Sequence, residues 1–307
     1  MLKTILLAGA AVLLSTGLGM AKEVTSIGLS VGSLGNPYFV AVGKGVADAA
    51  HAIGPNVKVT TTSADYDLSK QASQIDNFIA SGTDLILVNA VDPNALLPAI
   101  RRAKAAGITV VAVDVTAAGA DATVQTDNVK AGAIACDYMV DKIGGKGNVI
   151  IQNGPQVSAV TDRVKGCKEV LAKHPEVKLL SSDQDAKGSR DGGLNVMQAL
   201  LTRFSDVQGV FAINDPQAIG SDLAARQLNR TGIVITSVDG APDIVGALKG
   251  KTQIQASASQ DPYTMGKLAV ETGRDILAGK KPESPMILMQ PKLVTRDNVG
   301  EYPGWTR

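Results

Sequence analysis

The amino-acid sequence predicts an α/β protein with two similar domains, each built on a parallel sheet. Three observations support this prediction. The chain has 307 residues, which is enough for two domains of ordinary size. Short runs rich in β-branched residues alternate with amphipathic stretches of helical period, an order typical of parallel sheets covered by helices on both faces. In addition, one strand-helix-strand unit recurs later in the chain with matching polar residues at its ends.

The predicted strands are the β-branched runs, whose Val, Ile and Thr residues favour extended backbone. They cover residues 24–31, 57–62, 84–88, 108–113, 148–152, 177–181, 209–213, 233–238 and 253–257. The predicted helices lie between them, at residues 37–53, 69–80, 93–106, 158–173, 194–204 and 216–229. The first helix has a clear start signal, because Asn36 is a good N-cap residue and Pro37 suits the first helical position.

The recurring unit begins with a strand that ends at Asn and finishes with a strand that ends at Asp. Asn89 and Asp114 are these residues in the first copy, and Asn214 and Asp239 take the same positions, at the same spacing, in the second. In both copies an Asp-Pro pair follows the first strand, so we expect Asp to cap the helix and a later Gly to end it.

These four side chains mark a candidate ligand site. Ligands of open α/β sheets bind beyond the carboxyl ends of the strands, so two facing domains would direct all four residues at one ligand. Amides and carboxylates suit hydroxyl groups better than phosphates, because carboxylates accept hydrogen bonds and repel anions.

The charge balance excludes two classes of partner. Lys and Arg number 30 against 29 Asp and Glu, and no basic run occurs, so neither nucleic acid nor an anionic membrane is an expected partner. The two cysteines, Cys136 and Cys167, allow either one disulfide or two buried thiols. Together with His51 and His174 they form no recognisable metal site, so we expect no metal and no cofactor.

The first 21 residues have the features of a secretory signal peptide. Lys3 supplies a basic start, residues 5–14 are apolar, and Gly19 and Ala21 are small residues at positions −3 and −1 of a cleavage site. The apolar run is too short to favour an N-terminal membrane anchor. We therefore predict cleavage after Ala21 and a mature protein in the periplasm.

Some of these residues also match patterns found in enzymes. Residues 28–32 match the G-x-S-x-G pattern of a serine hydrolase, but Ser30 is predicted to lie inside a strand and not at a strand-to-helix turn. The glycines of this segment match no phosphate-binding pattern. Asp114 and Asp239 could be the paired carboxylates of a glycosidase, yet acceptance of hydrogen bonds from sugar hydroxyls is the simpler interpretation. We therefore do not expect an enzyme.

Several motifs resemble those of periplasmic sugar-binding proteins, the ribose-binding-like group that serves ABC transporters. The resemblance covers essentially all of the chain after the signal peptide, and the motifs are specific as a set. They are Ser33-Leu34-Gly35-Asn36-Pro37-Tyr38-Phe39, the two Val-Asp strand ends, and residues 194–198, 211–215, 238–243 and 293–298.

The resemblance implies two Rossmann-like domains joined by a three-strand hinge, with the ligand in the cleft between them and closure on binding. The crossings are expected near residues 126–127, 260–261 and 290–291. One lobe then comprises residues 22–126 and 261–290, and the other comprises residues 127–260 and 291–307.

The resemblance also implies roles for individual side chains. Tyr38 and Phe39 would stack on the C–H face of a sugar, Asp114 and Asp239 would accept hydroxyl protons, and Arg163 would donate its planar guanidinium to adjacent oxygens. Amide side chains would complete the network. The expected ligand-binding residues are Asn36, Tyr38, Phe39, Asp114, Arg163, Asn214, Asp239 and Gln260, with Asn89, Val115 and Val238 as further candidates.

Three departures from the ribose-binding pattern bear on the ligand. Val115 stands where ribose-binding members have Arg, Val238 stands where they have an aromatic residue, and residues 186–189 replace another aromatic residue. The loss of a guanidinium and two rings changes the polarity of the pocket and enlarges it. These departures argue against ribose and fit a hexose, a deoxy sugar or a sugar alcohol.

The sequence thus predicts a soluble, monomeric solute-binding protein of the periplasm. It would capture a neutral monosaccharide or sugar alcohol by hinge closure and deliver it to the permease of an ABC importer. The alternatives are a receptor for a signalling furanone or a chemotaxis sugar and, from a different class, an exported hydrolase that uses Ser30. The chain could also resemble the ligand-binding part of a transcription regulator, but such a protein needs an N-terminal helix-turn-helix. This sequence has the predicted signal peptide at that position instead.

Overall fold

The computed structural model describes residues 23–305, so the predicted signal peptide lies outside the described residues. Within this range the strands are Ser26–Val31 (β1), Lys58–Ser63 (β2), Leu85–Val88 (β3), Thr109–Val113 (β4), Ala122–Thr126 (β5), Gly147–Gln152 (β6), Val177–Ser181 (β7), Gly209–Ala212 (β8), Val234–Asp239 (β9), Ile254–Ser259 (β10), Met286–Met289 (β11) and Lys292–Thr295 (β12). The helices are Pro37–Ile53 (α1), Leu68–Ala80 (α2), Leu97–Ala105 (α3), Asn128–Lys142 (α4), Ser158–Leu171 (α5), Arg190–Arg203 (α6), Asp215–Gln227 (α7), Pro242–Lys249 (α8) and Pro262–Leu277 (α9). None of these helices has the length and apolarity needed to cross a bilayer.

The strands form two six-stranded sheets of matching order. The first has the order β11-β5-β4-β3-β1-β2, and the second has the order β12-β10-β9-β8-β6-β7. All neighbouring strands run parallel except β10 and β12, which pair antiparallel with Ser257 opposite Val294. The prediction of an α/β fold with two similar parallel-sheet domains is confirmed.

The chain changes sheet three times. It leaves the first sheet after β5, returns to it after β10 for β11, and then adds β12 to the second sheet. These changes fall in the intervals where the resemblance placed the hinge crossings, while the exact lobe boundaries stay a prediction. We call the two halves the first lobe and the second lobe, after their sheets.

Each predicted strand run overlaps an observed strand, but helix starts differ from prediction. Helix α6 begins four residues before its predicted start, and the two helices that follow Asp-Pro pairs also differ. Asp92 does not cap an α-helix, because its carboxylate accepts hydrogen bonds from the backbone N–H groups of Asn94 and Ala95 and closes a turn before α3 begins at Leu97. Helix α7 is capped by Asn214, whose side chain accepts from the N–H of Gln217, and Asp215 is its first residue. In both places the local turn chemistry decides the outcome.

Pairs of glycines bring the helices of each lobe into backbone contact. A Cβ at Gly132 of α4 would lie 2.0 Å from the carbonyl oxygen of Arg163 in α5, and a Cβ at Gly166 would lie 2.0 Å from the carbonyl oxygen of Val129. The same two helices are joined by a disulfide between Cys136 and Cys167, which answers the question that the sequence left open. This helix pair carries Arg163, so its packing fixes one wall of the site.

Candidate functional site

The carboxyl ends of both sheets face a common cavity. Its empty volume is about 460 Å³, which includes space open to solvent. Residues of both lobes line it: Asn36, Tyr38, Phe39, Tyr66, Asn89, Asp114, Pro155, Val157, Ala159, Val160, Arg163, Gly188, Ile213, Asn214, Asp239 and Gln260. The lining thus includes the eight residues that the sequence analysis put first and also Asn89.

The first lobe contributes a buried carboxylate held by two neighbours. Asp114 follows β4 and takes the left-handed conformation, with φ of 69°. One of its carboxylate oxygens accepts from the hydroxyl of Tyr38 at 2.8 Å, and the other accepts from the amide of Asn89 at 2.9 Å. Asn89 in turn accepts from the backbone N–H of Gly32. The orientation of this carboxylate is therefore set before a ligand arrives.

The second lobe contributes a buried guanidinium. Arg163 is 5% exposed, and its Nε donates to Oδ1 of Asn128 at 2.9 Å. Its Nη1 donates to the carbonyl of Ile213 at 2.9 Å and lies 3.4 Å from Oδ1 of Asp239. Within residues 23–305 no group bonds to Nη2, which is therefore available to a ligand oxygen.

Gln260 joins the two halves of the site. Its amide nitrogen donates to Oδ1 of Asp239 at 2.7 Å, and its amide oxygen lies 3.3 Å from the hydroxyl of Tyr38. Asp114, Tyr38, Gln260, Asp239 and Arg163 thus form one chain of polar contacts across both lobes. The carboxylate of Asp239 lines the cavity and can accept a hydrogen bond from a ligand.

Burial controls the charges in the cavity. It raises the pKa of Asp114, against the opposing effects of the Arg163 guanidinium and of the hydrogen bonds from Tyr38 and Asn89. It also raises the pKa of Asp239 to about 6, against the opposing effect of Arg163. Burial and the charge of Asp114 raise the pKa of Tyr38 well above its ordinary value, so the phenol keeps its proton and donates a hydrogen bond to the carboxylate.

Some residues have roles other than those expected. Tyr38 packs edge-on against Phe39, at 5.4 Å between ring centroids, and uses its hydroxyl to hold Asp114. Asn214 caps α7 and donates to the carbonyl of Gly188. Val115 and Val238 do not line the cavity; both are buried in the hydrophobic core, where an apolar side chain lowers the free energy of folding.

Several lining residues were not predicted from the sequence. Val157, Ala159, Val160 and Ile213 give the second-lobe wall an apolar face, and no pattern in the sequence distinguished them from ordinary core residues. Tyr66 also lines the cavity, from a turn in which it has a positive φ of 57°. A bulky residue in this conformation is uncommon, and no pattern in the sequence predicted it.

Ser30 is not placed for nucleophilic catalysis. It lies within β1, is fully buried, and its hydroxyl donates to Oε1 of Gln74 at 2.8 Å. Among the described residues no group of His, Cys, Asp and Glu side chains has the arrangement of a metal site.

The family of the chain follows from a match over residues 27–281 to the model of the periplasmic binding protein domain. The chain belongs to this family. The ribose import binding protein of Bacillus subtilis is 37% identical over 268 residues, which cover 86% of this chain and 85% of that protein. A xylitol-binding protein of Mycolicibacterium smegmatis is 34% identical over 283 residues, covering 91% of this chain and 79% of that protein.

A solved structure agrees with these relatives. An ABC transporter solute-binding protein from Mycobacterium smegmatis with bound glycerol matches with a TM-score of 0.85 and 28% identity, covering 92% of this chain and 98% of that one. The family consists of substrate-binding proteins for ABC transporters and not of enzymes. The periplasmic binding protein described here is therefore a solute receptor, and the hydrolase alternative is wrong.

Proposed function

We propose that this periplasmic binding protein captures a neutral monosaccharide or sugar alcohol in the cavity between its lobes and delivers it to the permease of an ABC importer. We also infer export with cleavage after Ala21, and lobe boundaries at residues 126–127, 260–261 and 290–291. The observation that carries the proposal is the polar chain from Asp114 to Arg163, which presents acceptors from both lobes and a guanidinium to one ligand.

The chemistry of the cavity favours a hydroxylated, uncharged ligand. Asp114 and Asp239 can each accept a hydrogen bond from a ligand hydroxyl, and Nη2 of Arg163 can donate one to a ligand oxygen. A phosphate or carboxylate would face two buried acidic side chains, which repel it. Val157, Val160 and Phe39 provide apolar surface for the C–H groups of a sugar or polyol.

Hinge closure follows from the division of the site. Asp114 belongs to the first lobe, whereas Arg163 and Asp239 belong to the second. A ligand that contacts all three binds the closed form more tightly than the open form, so it shifts the population toward closure. The permease could then distinguish the loaded protein from the empty one by the arrangement of its lobes.

A thermal-shift panel of D-ribose, D-allose, xylitol and myo-inositol tests this function. A ligand at about 100 times its Kd should raise the melting temperature by about 5 °C, because it binds only the folded protein. Asp114→Asn should weaken binding about tenfold or more, since a charged hydrogen-bond acceptor is lost. Asp76→Asn, at an exposed ion pair on α2, is the matched control and should bind normally.

The charge of the ligand is tested in the same assay. D-ribose 5-phosphate should give no shift, because its phosphate would be placed among buried carboxylates. Absence of a shift across aldoses, ketoses and alditols would contradict the proposed function.

A further inference from the structure

The last described residues of the chain cross over the strand end that carries Asp239. The hydroxyl of Tyr302 donates to the carbonyl of Gly240 at 3.0 Å, and Nε1 of Trp305 donates to the carbonyl of Asp239 at 2.9 Å. The ring of Trp305 also packs edge-on against the ring of Tyr38, at 5.6 Å between centroids. The C-terminal segment therefore touches the backbone of one binding residue and the side chain of another.

The strand end itself has an unusual backbone. Asp239 has a φ of 138° and Gly240 a φ of 71°, and the first of these values is costly for a residue with a side chain. Hydrogen bonds hold this conformation from several directions. Besides the two aromatic residues of the tail, Ser257 accepts from the N–H of Gly240, and Asp215 accepts from the N–H of Ala241. The backbone that directs the Asp239 carboxylate into the cavity is thus fixed by its surroundings.

The two aromatic residues of the tail differ in the lobe against which they pack. Tyr302 packs against the hydrophobic core of the second lobe, the lobe to which Gly240 belongs. Trp305 is 6% exposed and lies in the core cluster of the first lobe, with Tyr38 and Met265, while its N–H reaches the second lobe at Asp239. Trp305 therefore bonds to one lobe and packs into the other.

We propose that Trp305 is an interlobe latch that stabilises the closed form and positions the two carboxylates of the site together. Its ring supports Tyr38, which holds Asp114, and its N–H holds the backbone of Asp239. Rotation of one lobe away from the other must break either the ring contact or the hydrogen bond. This inference rests on the proposed function, because it names a further residue that sets the affinity of the same site.

Trp305→Phe tests the latch with little loss of packing. Phenylalanine keeps an aromatic ring beside Tyr38 but has no N–H for the carbonyl of Asp239, so the closed form loses one hydrogen bond between the lobes. We expect the affinity for the sugar or polyol with the largest thermal shift to fall about fivefold, mainly through faster dissociation. Calorimetry gives the affinity, and stopped-flow mixing gives the dissociation rate.

Tyr302→Phe is the matched control, because it removes a hydrogen bond to the same strand end without touching the first lobe. Small-angle X-ray scattering compares the ligand-free proteins. We expect a larger radius of gyration for Trp305→Phe than for the wild type, and no increase for Tyr302→Phe. Trp305→Ala, which removes the ring as well, should open the free protein further and weaken binding more than Trp305→Phe.

The outcomes separate the latch from the proposed function. Wild-type affinity and wild-type dimensions in Trp305→Phe would overturn the latch. Equal loss of affinity and equal opening in Trp305→Phe and Tyr302→Phe would also overturn it, since the tail would then act only on the second lobe. If the wild type binds no sugar or polyol, the proposed function fails, while scattering of the ligand-free variants still decides whether Trp305 holds the lobes together.

Discussion

Arg163 shows how the protein keeps a charge buried at its binding site. The guanidinium has three acceptors within reach, of which the Asn128 side chain and the Ile213 carbonyl are neutral, and only Asp239 is an anion. The neutral bonds fix the plane of the guanidinium, and the weak contact to Asp239 leaves that carboxylate able to bind a ligand. A buried cation with such partners serves orientation more than stability.

Replacement of this residue by lysine tests the importance of the planar fork. Arg163→Lys keeps the positive charge but cannot donate at once to Asn128, to Ile213 and to a ligand oxygen, so the affinity should fall about ten- to hundredfold by calorimetry. Arg102→Lys is the control, because Arg102 forms an exposed ion pair with Asp76 on the surface of the first lobe. Tight binding by Arg163→Lys would mean that the ligand interacts with the charge alone.

The site could be predicted from sequence where a residue follows a strand or starts a helix. Asp114, Asp239 and Asn36 stand at such positions, and all three line the cavity. The contacts of Tyr38 could not be predicted, because its partners come from distant parts of the chain. Its hydroxyl bonds to Asp114 and its ring meets Trp305, and only the tertiary fold brings these residues together.

At the scale of elements, the two lobes use the same helix pairing with different side chains. In the first lobe, Gly45 of α1 and Gly266 of α9 make the backbone contacts that Gly166 and Gly132 make in the second. Next to these glycine contacts, the second lobe has the disulfide between Cys136 and Cys167, and the first lobe has buried Val46 and Val270 at the corresponding positions. The glycine contacts are thus the shared feature, and the disulfide is an addition in one lobe.

Gly132→Ala should destabilise the protein and weaken ligand binding together. The new methyl group would lie 2.0 Å from the carbonyl oxygen of Arg163, so α4 and α5 must separate, at a cost of about 1–3 kcal/mol or more in the free energy of unfolding. Urea unfolding and calorimetry measure the two effects. Since Arg163 is part of the contact, its guanidinium should shift from its place in the cavity.

Gly246→Ala is the control for this substitution. Gly246 lies in α8, and a Cβ there would meet no atom within 4 Å. Alanine should raise the free energy of unfolding by up to about 1 kcal/mol, because it favours helix more than glycine does. A stabilised Gly132→Ala variant would show that the two helices can separate without cost.

The alternation of strands and helices was predictable, because hydrophobic period and β-branched runs are local properties of the chain. The first residue of each helix was harder to predict. The Asp-Pro pairs at residues 92–93 and 215–216 look alike in sequence, yet one lies in a turn before α3 and the other lies in the first turn of α7. The difference depends on which nearby backbone N–H groups the Asp and Asn side chains reach, and the two similar sequences do not reveal that choice.

At the scale of the whole molecule, the buried carboxylates couple stability to pH. Burial raises the pKa of Asp239 to about 6, and burial together with the nearby Asp239 raises the pKa of Asp215 to about 8. Asp215 accepts from the hydroxyls of Ser237 and Ser257 beneath the strand end, while Asp239 faces Arg163 and Gln260. In the unfolded chain both carboxyl groups would have the ordinary value near 3.8.

Because the folded pKa values are higher, the folded protein binds more protons than the unfolded chain over this range. The stabilising effect of these protons is complete below about pH 4 and is lost as the pH rises through about 6 and then about 8. The ligand-free protein should therefore melt at a higher temperature at pH 5 than at pH 8. Asp65, Asp92 and Asp183 have lowered pKa values, so they titrate below this range and do not oppose the effect there.

Ligand binding should depend on pH in the opposite direction. A hydroxyl group donates to an ionised Asp239, so protonation of this residue below about pH 6 removes an acceptor and weakens the affinity. The increase in melting temperature caused by ligand should thus be smaller at pH 5 than at pH 8, although the ligand-free protein is more stable at pH 5. Thermal melts at both pH values, with and without the panel ligand, measure both trends. A ligand-induced increase in melting temperature that is as large at pH 5 as at pH 8 would show that Asp239 is not the acceptor.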